Sequence, residues 1–186
     1  MFLAVLRRLV VLGLFALVLC GCATPAAQPA RLGLKLAPSA LGTSISLQQH
    51  LRVEREGRVD ELDAALEVDP QRIDLVGLAL GQRVLVLHYD GQTLQSWRHP
   101  MVPAQLRDED VLEDVQLTLW PADAIRQALP AGWPIEEDGL RRTLLAGDVP
   151  VMVIEYSSHT RWRGKVELTN LHYHYRLTIE SVSNGS

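Results

Sequence analysis

The sequence predicts a mainly β domain with short α insertions, and three observations lead to this fold class. Apolar and polar residues alternate with a period of two over most of the chain, as on strands with one buried face. Turn-forming pairs, above all Asp90-Gly91, separate these runs and predict antiparallel hairpins. Between residues 108 and 129 the apolar period becomes helical. We therefore expect strands, a helical interruption, and strands again.

Residues 1–21 precede this domain and are predicted to be a lipoprotein signal peptide. Two arginines are followed by an apolar run at residues 9–19, which is shorter than the about 20 residues of a membrane-spanning helix. Both cysteines of the protein stand at its end, in the stretch LCGC. Because small Gly21 precedes Cys22, cleavage there predicts Cys22 as the lipid attachment residue. A plain signal peptide or an N-terminal anchor helix is the alternative.

Residues 22–41 are predicted to form the lipidated N-terminus and a flexible tether, since Ala, Pro, Gln and Ser leave little to bury. In Gram-negative bacteria an Asp after the lipidated cysteine favours the inner membrane, so Ala23 predicts lipid anchoring on the periplasmic face of the outer membrane. With Cys22 acylated, residues 42–186 contain no thiol, which excludes a disulfide scaffold or a cysteine metal site. The net charge of −4 gives no reason to expect nucleic acid as a partner.

Five antiparallel strands are predicted before the helical interruption. Gly57, Gly81 and Gly91 lie in the turns that join them, where a residue without Cβ allows a positive φ. The predicted strands are residues 45–53, 62–68, 73–80, 84–89 and 93–98.

The helical interruption begins with the acidic run at residues 108–114, since negative charge favours a helix N-terminus. Residues 115–119 fit a helix or a strand equally well. A short helix is predicted over residues 122–129, between Pro121 and Pro130. Four strands follow, at about residues 142–145, 149–156, 162–169 and 171–181.

Two strand segments, residues 84–87 and 151–154, are apolar on both faces. A sheet that covers one core keeps one face polar. The pattern therefore indicates one of two arrangements. The sheet either curves around an apolar cavity while another element packs on its outer face, or it forms an ordinary filled core with the helices.

The sequence contains three candidate sites for catalysis or metal binding, and none predicts an enzyme. His172 and His174 share a strand face at a spacing that can bind zinc, but no third ligand is evident, so a solvated face is the better interpretation. Ser158 and His159 are neighbours in a loop without a nucleophile elbow. The acidic run at residues 136–138 is predicted to be a turn, which is too short for a calcium loop. We expect no catalytic residue, metal or cofactor.

The order of elements resembles the outer-membrane lipoprotein receptor LolB and its relatives, over about residues 47–181. The stretch RIDLVGLALGQRVLVL is similar to the central strand pair of that family, and AIRQAL to the short helix over its barrel mouth. The stretches QLTLWPA, IEY and YRLTIES look closer still to an uncharacterised lipoprotein family, a domain of unknown function. Its members are often encoded beside aryl polyene and fatty-acid-type synthesis genes.

This resemblance implies a half-open antiparallel β-barrel with helices at the mouth and an apolar cavity for acyl chains. In the receptor a protruding leucine helps to insert lipoproteins into the membrane, and Leu80 matches it. Ala79 stands where the receptor carries proline, so a buried strand-end leucine is the alternative. The matching apolar strand faces predict cavity-lining residues: Leu51, Val53, Leu66, Val86, Tyr173 and Tyr175.

Two functions from different classes follow. One is non-enzymatic handling of lipid or lipoprotein: the protein would bind a hydrophobic acyl or polyene-type cargo, accept it from a soluble LolA-like periplasmic carrier and pass it to the membrane. The other is a structural or assembly lipoprotein that scaffolds a periplasmic or membrane-bound partner. The first predicts a continuous apolar cavity, and the second a filled core with an exposed apolar patch or an open sheet edge.

Overall fold

The computed structural model describes residues 31–103 and 106–183. Cys22 and the predicted signal peptide lie outside the described residues. The described residues form two α-helices, one 3-10 helix and ten strands. The helices are α1 (Asp108–Leu119), α2 (Ala122–Ala128) and the 3-10 helix Pro38–Leu41. The strands are β1 (Ile45–Arg55), β2 (Arg58–Val68), β3 (Ile73–Ala79), β4 (Gln82–Tyr89), β5 (Leu94–Arg98), β6 (Ile135–Asp138), β7 (Arg141–Ala146), β8 (Val149–Tyr156), β9 (Gly164–Asn170) and β10 (Tyr175–Ser183).

All ten strands form one antiparallel sheet in the order β5-β4-β3-β2-β1-β10-β9-β8-β7-β6. The chain runs from the centre of the sheet to one edge, crosses through the helices to the other edge, and returns to the centre, where β10 pairs with β1. Because β5 and β6 do not pair with each other, the sheet stays open. The predicted fold class, a mainly β, half-open antiparallel sheet with short helices, is confirmed.

The sheet has two different ends, which we call the open end and the closed end. The turns β1–β2, β3–β4, β7–β8 and β9–β10 share the open end, because Arg55 at the end of β1 pairs with both Arg58 of β2 and Tyr175 of β10. The segment after β5 and the N-terminus of α1 lie there too, since Arg98 of β5 pairs with Asp108 of α1 at 3.3 Å. The turns β2–β3, β4–β5, β6–β7 and β8–β9 form the closed end.

A β-bulge explains each of the two strand segments that are apolar on both faces. In β4 the register shifts opposite Gly77, so Val84 and Leu85 are both buried. In β8 the register shifts at the corresponding place, and Val151 and Met152 are both buried. A bulge sets two residues against one on the partner strand, which lets neighbours face the same side. These apolar runs therefore need no second cover on the back of the sheet.

Helix α1 packs its apolar side into the concave face of the sheet. Three acidic residues fill its first turn, where the helix dipole favours negative charge. Leu112, Leu117 and Leu119 are buried in the core, so residues 115–119 complete the helix rather than form a strand. Among the residues that the structure describes, neither the length nor the apolarity of any helix meets what a bilayer crossing requires.

Three parts of the chain differ from the sequence prediction. Residues 31–41 are not part of a flexible tether: Leu34, Leu36 and Leu41 are buried in the core, so the packed domain begins by Arg31 rather than at residue 42. The acidic run expected as a turn forms β6, which pairs with β7. The last strand begins at Tyr175, because residues 171–174 turn the chain instead of extending it.

Candidate ligand-binding cavity

A cavity of ≈ 550 Å³ lies between α1 and the concave face of the sheet. Strands β1 to β4 and β10 supply one wall, and the N-terminal half of α1 supplies the other. Successive side chains of a strand point to opposite faces of the sheet, and the apolar ones on these strands point inward. The cavity walls are therefore mostly aliphatic. The lining residues are Arg31, Gln49, Leu51, Val53, Arg55, Leu62, Ala64, Leu75, Gly77, Leu85, Leu106, Arg107, Asp110, Val111, Asp114, Val115, Tyr173, Tyr175, Leu177 and Ile179.

The cavity opens at the open end and deepens towards the middle of the sheet. Ala64 and Leu85, on its floor, are at most 5% exposed. Leu106 and Tyr173, at its rim, are each 39% exposed. Gly77 lies on the floor, where a larger residue would fit poorly. A Cβ at this position would lie 3.3 Å from the Cβ of Leu85, which is closer than most such contacts. The space is therefore an apolar pocket with one solvent-facing mouth.

A buried ion-pair cluster forms the polar wall of this pocket. The Arg31 guanidinium donates to Asp114 Oδ1 at 2.5 Å and also to the Tyr175 hydroxyl. That hydroxyl in turn donates to Asp114 Oδ2 at 2.7 Å. The guanidinium carbon lies 5.4 Å and 5.7 Å from the ring centroids of Tyr175 and Tyr173, within cation–π range. These contacts join the N-terminal segment, α1 and β10 at one point.

Burial and charge act on this cluster in opposite directions. Burial lowers the pKa of Arg31, but the charge of Asp114 outweighs it and the pKa is raised overall, so the guanidinium stays charged. Burial raises the pKa of Asp114, although Arg31 opposes the shift. Burial and the nearby Asp114 charge raise the pKa of Tyr175, which keeps its hydroxyl protonated as a donor. The cluster is thus one fixed cation against a carboxylate that is costly to ionise.

Residues 31–37 form an extended strap along α1, held by side chains on one helix face. Glu113 Oε2 accepts from the backbone N–H groups of residues 32, 33 and 34 at 2.9, 2.6 and 3.2 Å. Gln116 both accepts from Leu36 N–H and donates to its carbonyl, each at 2.9 Å. The Trp120 indole N–H donates to the Ala37 carbonyl at 3.1 Å. The strap therefore runs from the open end, at Arg31, to the closed end.

A second buried arginine holds the other end of α1. Arg142, 1% exposed, donates to the carbonyls of Leu117 and Trp120 and to Glu137 Oε1 at 2.6 Å. The Tyr156 hydroxyl donates to the Thr118 carbonyl at 2.8 Å. A helix leaves its last carbonyls without intrahelical donors, and these side chains supply them. Burial raises the pKa of Tyr156 to about 12, so this donor keeps its proton.

The structure separates the predicted cavity residues into three groups. Leu51, Val53, Tyr173 and Tyr175 line the cavity. Leu66 does not: it is fully buried beside a void of ≈ 20 Å³ that adjoins the deep end. Val86 is also misplaced, because its side chain lies on the convex face with Arg83 and Trp97. The bulge in β4 shifted the inward positions by one, which strict alternation could not anticipate.

Leu80 occupies the tip of the β3–β4 turn and is 96% exposed, so it is not a buried strand-end leucine. It adopts φ of 51° and Gly81 adopts φ of 73°, the two positive angles of a type I′ hairpin. Leucine is an unfavourable residue there, since the left-handed conformation costs about 1–2 kcal/mol outside glycine. Leu80 is therefore exposed at a turn position whose backbone conformation leucine disfavours.

The structure does not bring the candidate catalytic and metal-binding residues together in one site. His172 and His174 lie in the β9–β10 turn instead of on a strand face, and Ser158 and His159 lie in the β8–β9 loop. Within residues 31–103 and 106–183, no group of three or more His, Cys, Asp or Glu side chains could hold a metal ion.

The buried charges are not evident from the sequence pattern. Arg31 lies in a segment whose composition is typical of a tether. The spacing of apolar residues places Arg142 in a strand and Glu113 in a helix, but it does not show that either side chain is buried. One signal was available: Glu113 and Gln116 interrupt the apolar side of α1 with groups that need partners.

A family model described as "Protein of unknown function (DUF3261)" matches residues 46–183. The chain belongs to this family. The expectation of an uncharacterised family with a domain of unknown function is therefore confirmed. The match begins within β1 and ends within β10, so it covers the whole sheet and both helices and leaves the strap outside. No curated protein matches the chain.

Three solved structures resemble this family member at 15% identity or less. A chain in the complex of Pseudomonas aeruginosa MucA and MucB matches with 15% identity, a TM-score of 0.47, and coverage of 81% of this chain and 55% of that one. This chain thus spans about half of that relative. A LolA superfamily protein from Nitrosomonas europaea matches with 10% identity, a TM-score of 0.38, and coverage of 79% and 91%. A DUF1329 family protein from Desulfovibrio piger matches with 13% identity, a TM-score of 0.35, and coverage of 78% and 87%.

Proposed function

We propose that this protein is a non-enzymatic lipid-handling protein that binds a hydrophobic acyl or polyene-type cargo. The observation that carries the proposal is the apolar cavity of ≈ 550 Å³ with one mouth. Its volume falls in the range of about 300–1,000 Å³ that is typical of small-molecule sites. In the described part of the chain, the core is filled at the closed end and open at the cavity, whereas the assembly role requires a filled core throughout.

The chemistry of the walls favours a long apolar ligand with a polar head. The floor offers aliphatic side chains and no ion pair, so it can receive methylenes but no charge. Each methylene buried there contributes about 0.8 kcal/mol, so about ten supply about 8 kcal/mol before the entropic costs of binding. Arg31 and Arg107 lie on the wall towards the mouth, and each is paired with a carboxylate, Asp114 or Asp110. A carboxylate or ester head would meet guanidinium groups there and would share them with these partners.

The membrane part of the proposal comes from the sequence. Cys22 would carry the acyl anchor, and Ala23 after it would direct the protein to the periplasmic face of the outer membrane. As in the LolB-like resemblance, the protein would receive its cargo from a soluble LolA-like carrier and release it to the membrane, with Leu80 entering the bilayer. A polyene-type cargo accords with the aryl polyene association of similar lipoproteins.

The test uses the chain with Cys22→Ala, exported to the periplasm of its native host and purified gently. Native mass spectrometry asks which hydrophobic molecule travels with it. Fluorescence titration with cis-parinaric acid, a polyene fatty acid, then measures binding. Val111→Trp fills the cavity from α1, and Val86→Trp makes the same change on the convex face as a matched control, since both valines are half-buried.

We expect Val111→Trp to weaken parinaric acid binding about tenfold or more, because the space of about two methylenes is lost, while Val86→Trp leaves it unchanged. A clean apo mass and no uptake of the probe would refute the carrier function. The assembly lipoprotein would then be favoured, since Trp97 is 48% exposed in an apolar patch with Val86 on the convex face. The outer edges of β5 and β6 also pair with no other strand among the described residues.

A further inference from the structure

Exposed apolar side chains are concentrated around the mouth of the cavity. Leu80 and Leu171 stand in the β3–β4 and β9–β10 turns, Met101 and Leu106 lie between β5 and α1, and Tyr173 borders the mouth itself. Their exposures run from 39% to 96%. We call these five residues the apolar rim. Chains rarely expose large apolar groups together without a partner for them.

The opposite end of the sheet offers a comparison. Only Leu140 and Val182 are large, apolar and exposed there within the described residues, and they lie on separate elements, the β6–β7 turn and the end of β10. Exposed apolar side chains are therefore clustered at the open end and scattered at the closed end.

Arginines surround the rim. Arg55, Arg98 and Arg107 lie at the ends of β1, β5 and the start of α1, each with an acidic neighbour within 4.0 Å. Arg58 and Arg83, at the starts of β2 and β4, are exposed and form no ion pair with any residue that the structure describes. Exposed Glu109 and Asp148 lie at the same end, so the match to anionic headgroups above an apolar layer rests on Arg58 and Arg83.

The chain also enters the domain at this end. Arg31, the first described residue, lies on the cavity wall beside Tyr175. Cys22 lies nine residues before it (31 − 22), which a fully extended chain spans in about 30 Å. A lipid on Cys22 would therefore keep Arg31, at the open end, within about 30 Å of the bilayer.

We propose that the apolar rim and its arginines are a bilayer-docking surface, which seats the protein with the mouth of the cavity against the lipid. The proposal rests on the lipid-handling function and deepens it: cargo leaves the cavity directly into the bilayer without crossing water. It also goes beyond Leu80, because the other four rim residues share the contact.

The test is vesicle flotation of the chain with Cys22→Ala, so that no acyl anchor contributes. Vesicles of phosphatidylcholine alone are compared with vesicles containing one quarter phosphatidylglycerol. The rim variant is Met101→Ser with Leu171→Ser, and Leu80 is kept. The matched control is Leu140→Ser with Val182→Ser, which removes similarly exposed apolar groups from the closed end. A second variant, Arg58→Gln with Arg83→Gln, removes the unpaired charges.

We expect the rim variant to lower vesicle partitioning about tenfold and the control to leave it unchanged. The arginine variant should lose about fivefold per charge on the anionic vesicles at low salt and nothing on the neutral ones. Equal flotation of rim variant and control would overturn the proposal. So would a parent chain that floats with neither vesicle, and photo-crosslinking from position 171 to a periplasmic protein would then identify the rim as a protein-binding surface.

Parinaric acid titration of the same variants distinguishes a failure of the carrier function from a failure of the docking surface. If the rim variant loses vesicle binding but still binds parinaric acid, the cavity and the docking surface act separately, as proposed. If no variant floats but all bind the probe, the docking surface is wrong and the carrier function stands. If the parent floats but does not bind the probe, the carrier function is wrong and the docking surface stands.

Discussion

The two ends of α1 meet the same sheet but are held in opposite ways. At the closed end, Trp120 and Arg142 are at most 1% exposed and leave no large space. At the open end the helix stands away from the sheet over a cavity of ≈ 550 Å³. Each end has a buried arginine, but Arg142 belongs to β7, within the sheet, whereas Arg31 belongs to the strap.

The difference shows how one helix can serve both stability and binding. Contacts to a ten-stranded sheet resist separation, because moving Arg142 would disturb β7 and its neighbours. The strap is a single extended segment held by Glu113, Gln116 and Trp120. Detaching the strap would therefore cost less free energy than moving Arg142, and it would free the half of α1 that covers the cavity.

The largest expected effect is at the closed end. Arg142→Met should lower the free energy of unfolding by about 3 kcal/mol, because two helix carbonyls and Glu137 lose their buried donor. Arg141→Met is the control: Arg141 is the next residue, its side chain is 58% exposed, and we expect a change within about 0.5 kcal/mol. Urea denaturation measures both. Equal losses for the two variants would contradict the capping role.

A smaller effect is expected at the open end. Arg31→Met should cost about 1–2 kcal/mol, since Asp114 keeps the Tyr175 hydroxyl as a donor and can take up a proton. Hydrogen exchange should become faster at the amides of residues 32–36 and stay unchanged at residues 117–120. Lys35→Met, an exposed strap residue, serves as the control. Faster exchange at both ends of α1 would show that the helix moves as one unit.

The two ends should also respond to pH with opposite signs. Burial raises the pKa of Asp114, so its stabilisation is present below the unfolded value of about 3.9 and is lost as pH rises through the folded value. Burial also opposes ionisation of Glu137, but Arg142 and Arg161 outweigh it and lower the pKa of that carboxyl. Its stabilisation is present above about pH 4.3 and is lost as pH falls through the folded value.

Between about pH 3 and pH 7, the destabilisation by Asp114→Asn should therefore shrink as pH rises, and that by Glu137→Gln should grow. Urea denaturation of the parent and of both variants across this range gives the two slopes. Slopes of the same sign would mean that the open end is as well solvated or as well paired as the closed end.

The smallest expected effect concerns the turns of the open end. Leu80→Asn should raise the free energy of unfolding by about 0.5–1 kcal/mol, because asparagine tolerates the left-handed conformation that leucine resists. Gln82→Asn, at the neighbouring strand start, should change it by less than about 0.5 kcal/mol. Loss of stability on Leu80→Asn would show that the exposed leucine stabilises the domain.

Most of the fold could be predicted from local patterns. Alternation located β1 to β5, and Asp90 marked its hairpin correctly, since its carboxylate accepts from the N–H groups of Gln92 and Thr93. The acidic start of α1 was also readable. These features depend on neighbouring residues in the chain, so the sequence carries them directly.

The site was predicted only in part, for a physical reason. Leu51, Val53, Tyr173 and Tyr175 were placed on the wall by a family resemblance, and Val86 was misplaced by a bulge that depends on pairing with β3.

The sequence by itself determined most strand faces, the turns between β1 and β5, the start of α1 and the position of α2, because these follow from the spacing of apolar, acidic and turn-forming residues. Only the tertiary structure decided that residues 31–37 pack as a strap, that Arg31 and Arg142 hold opposite ends of α1, and that one half of the interior stays open. Each of these depends on groups far apart in the chain: Arg31 and Tyr175 are 144 residues apart and meet through a hydrogen bond. A buried charge is tolerable only where such a partner exists, and the partner is set by the folded chain.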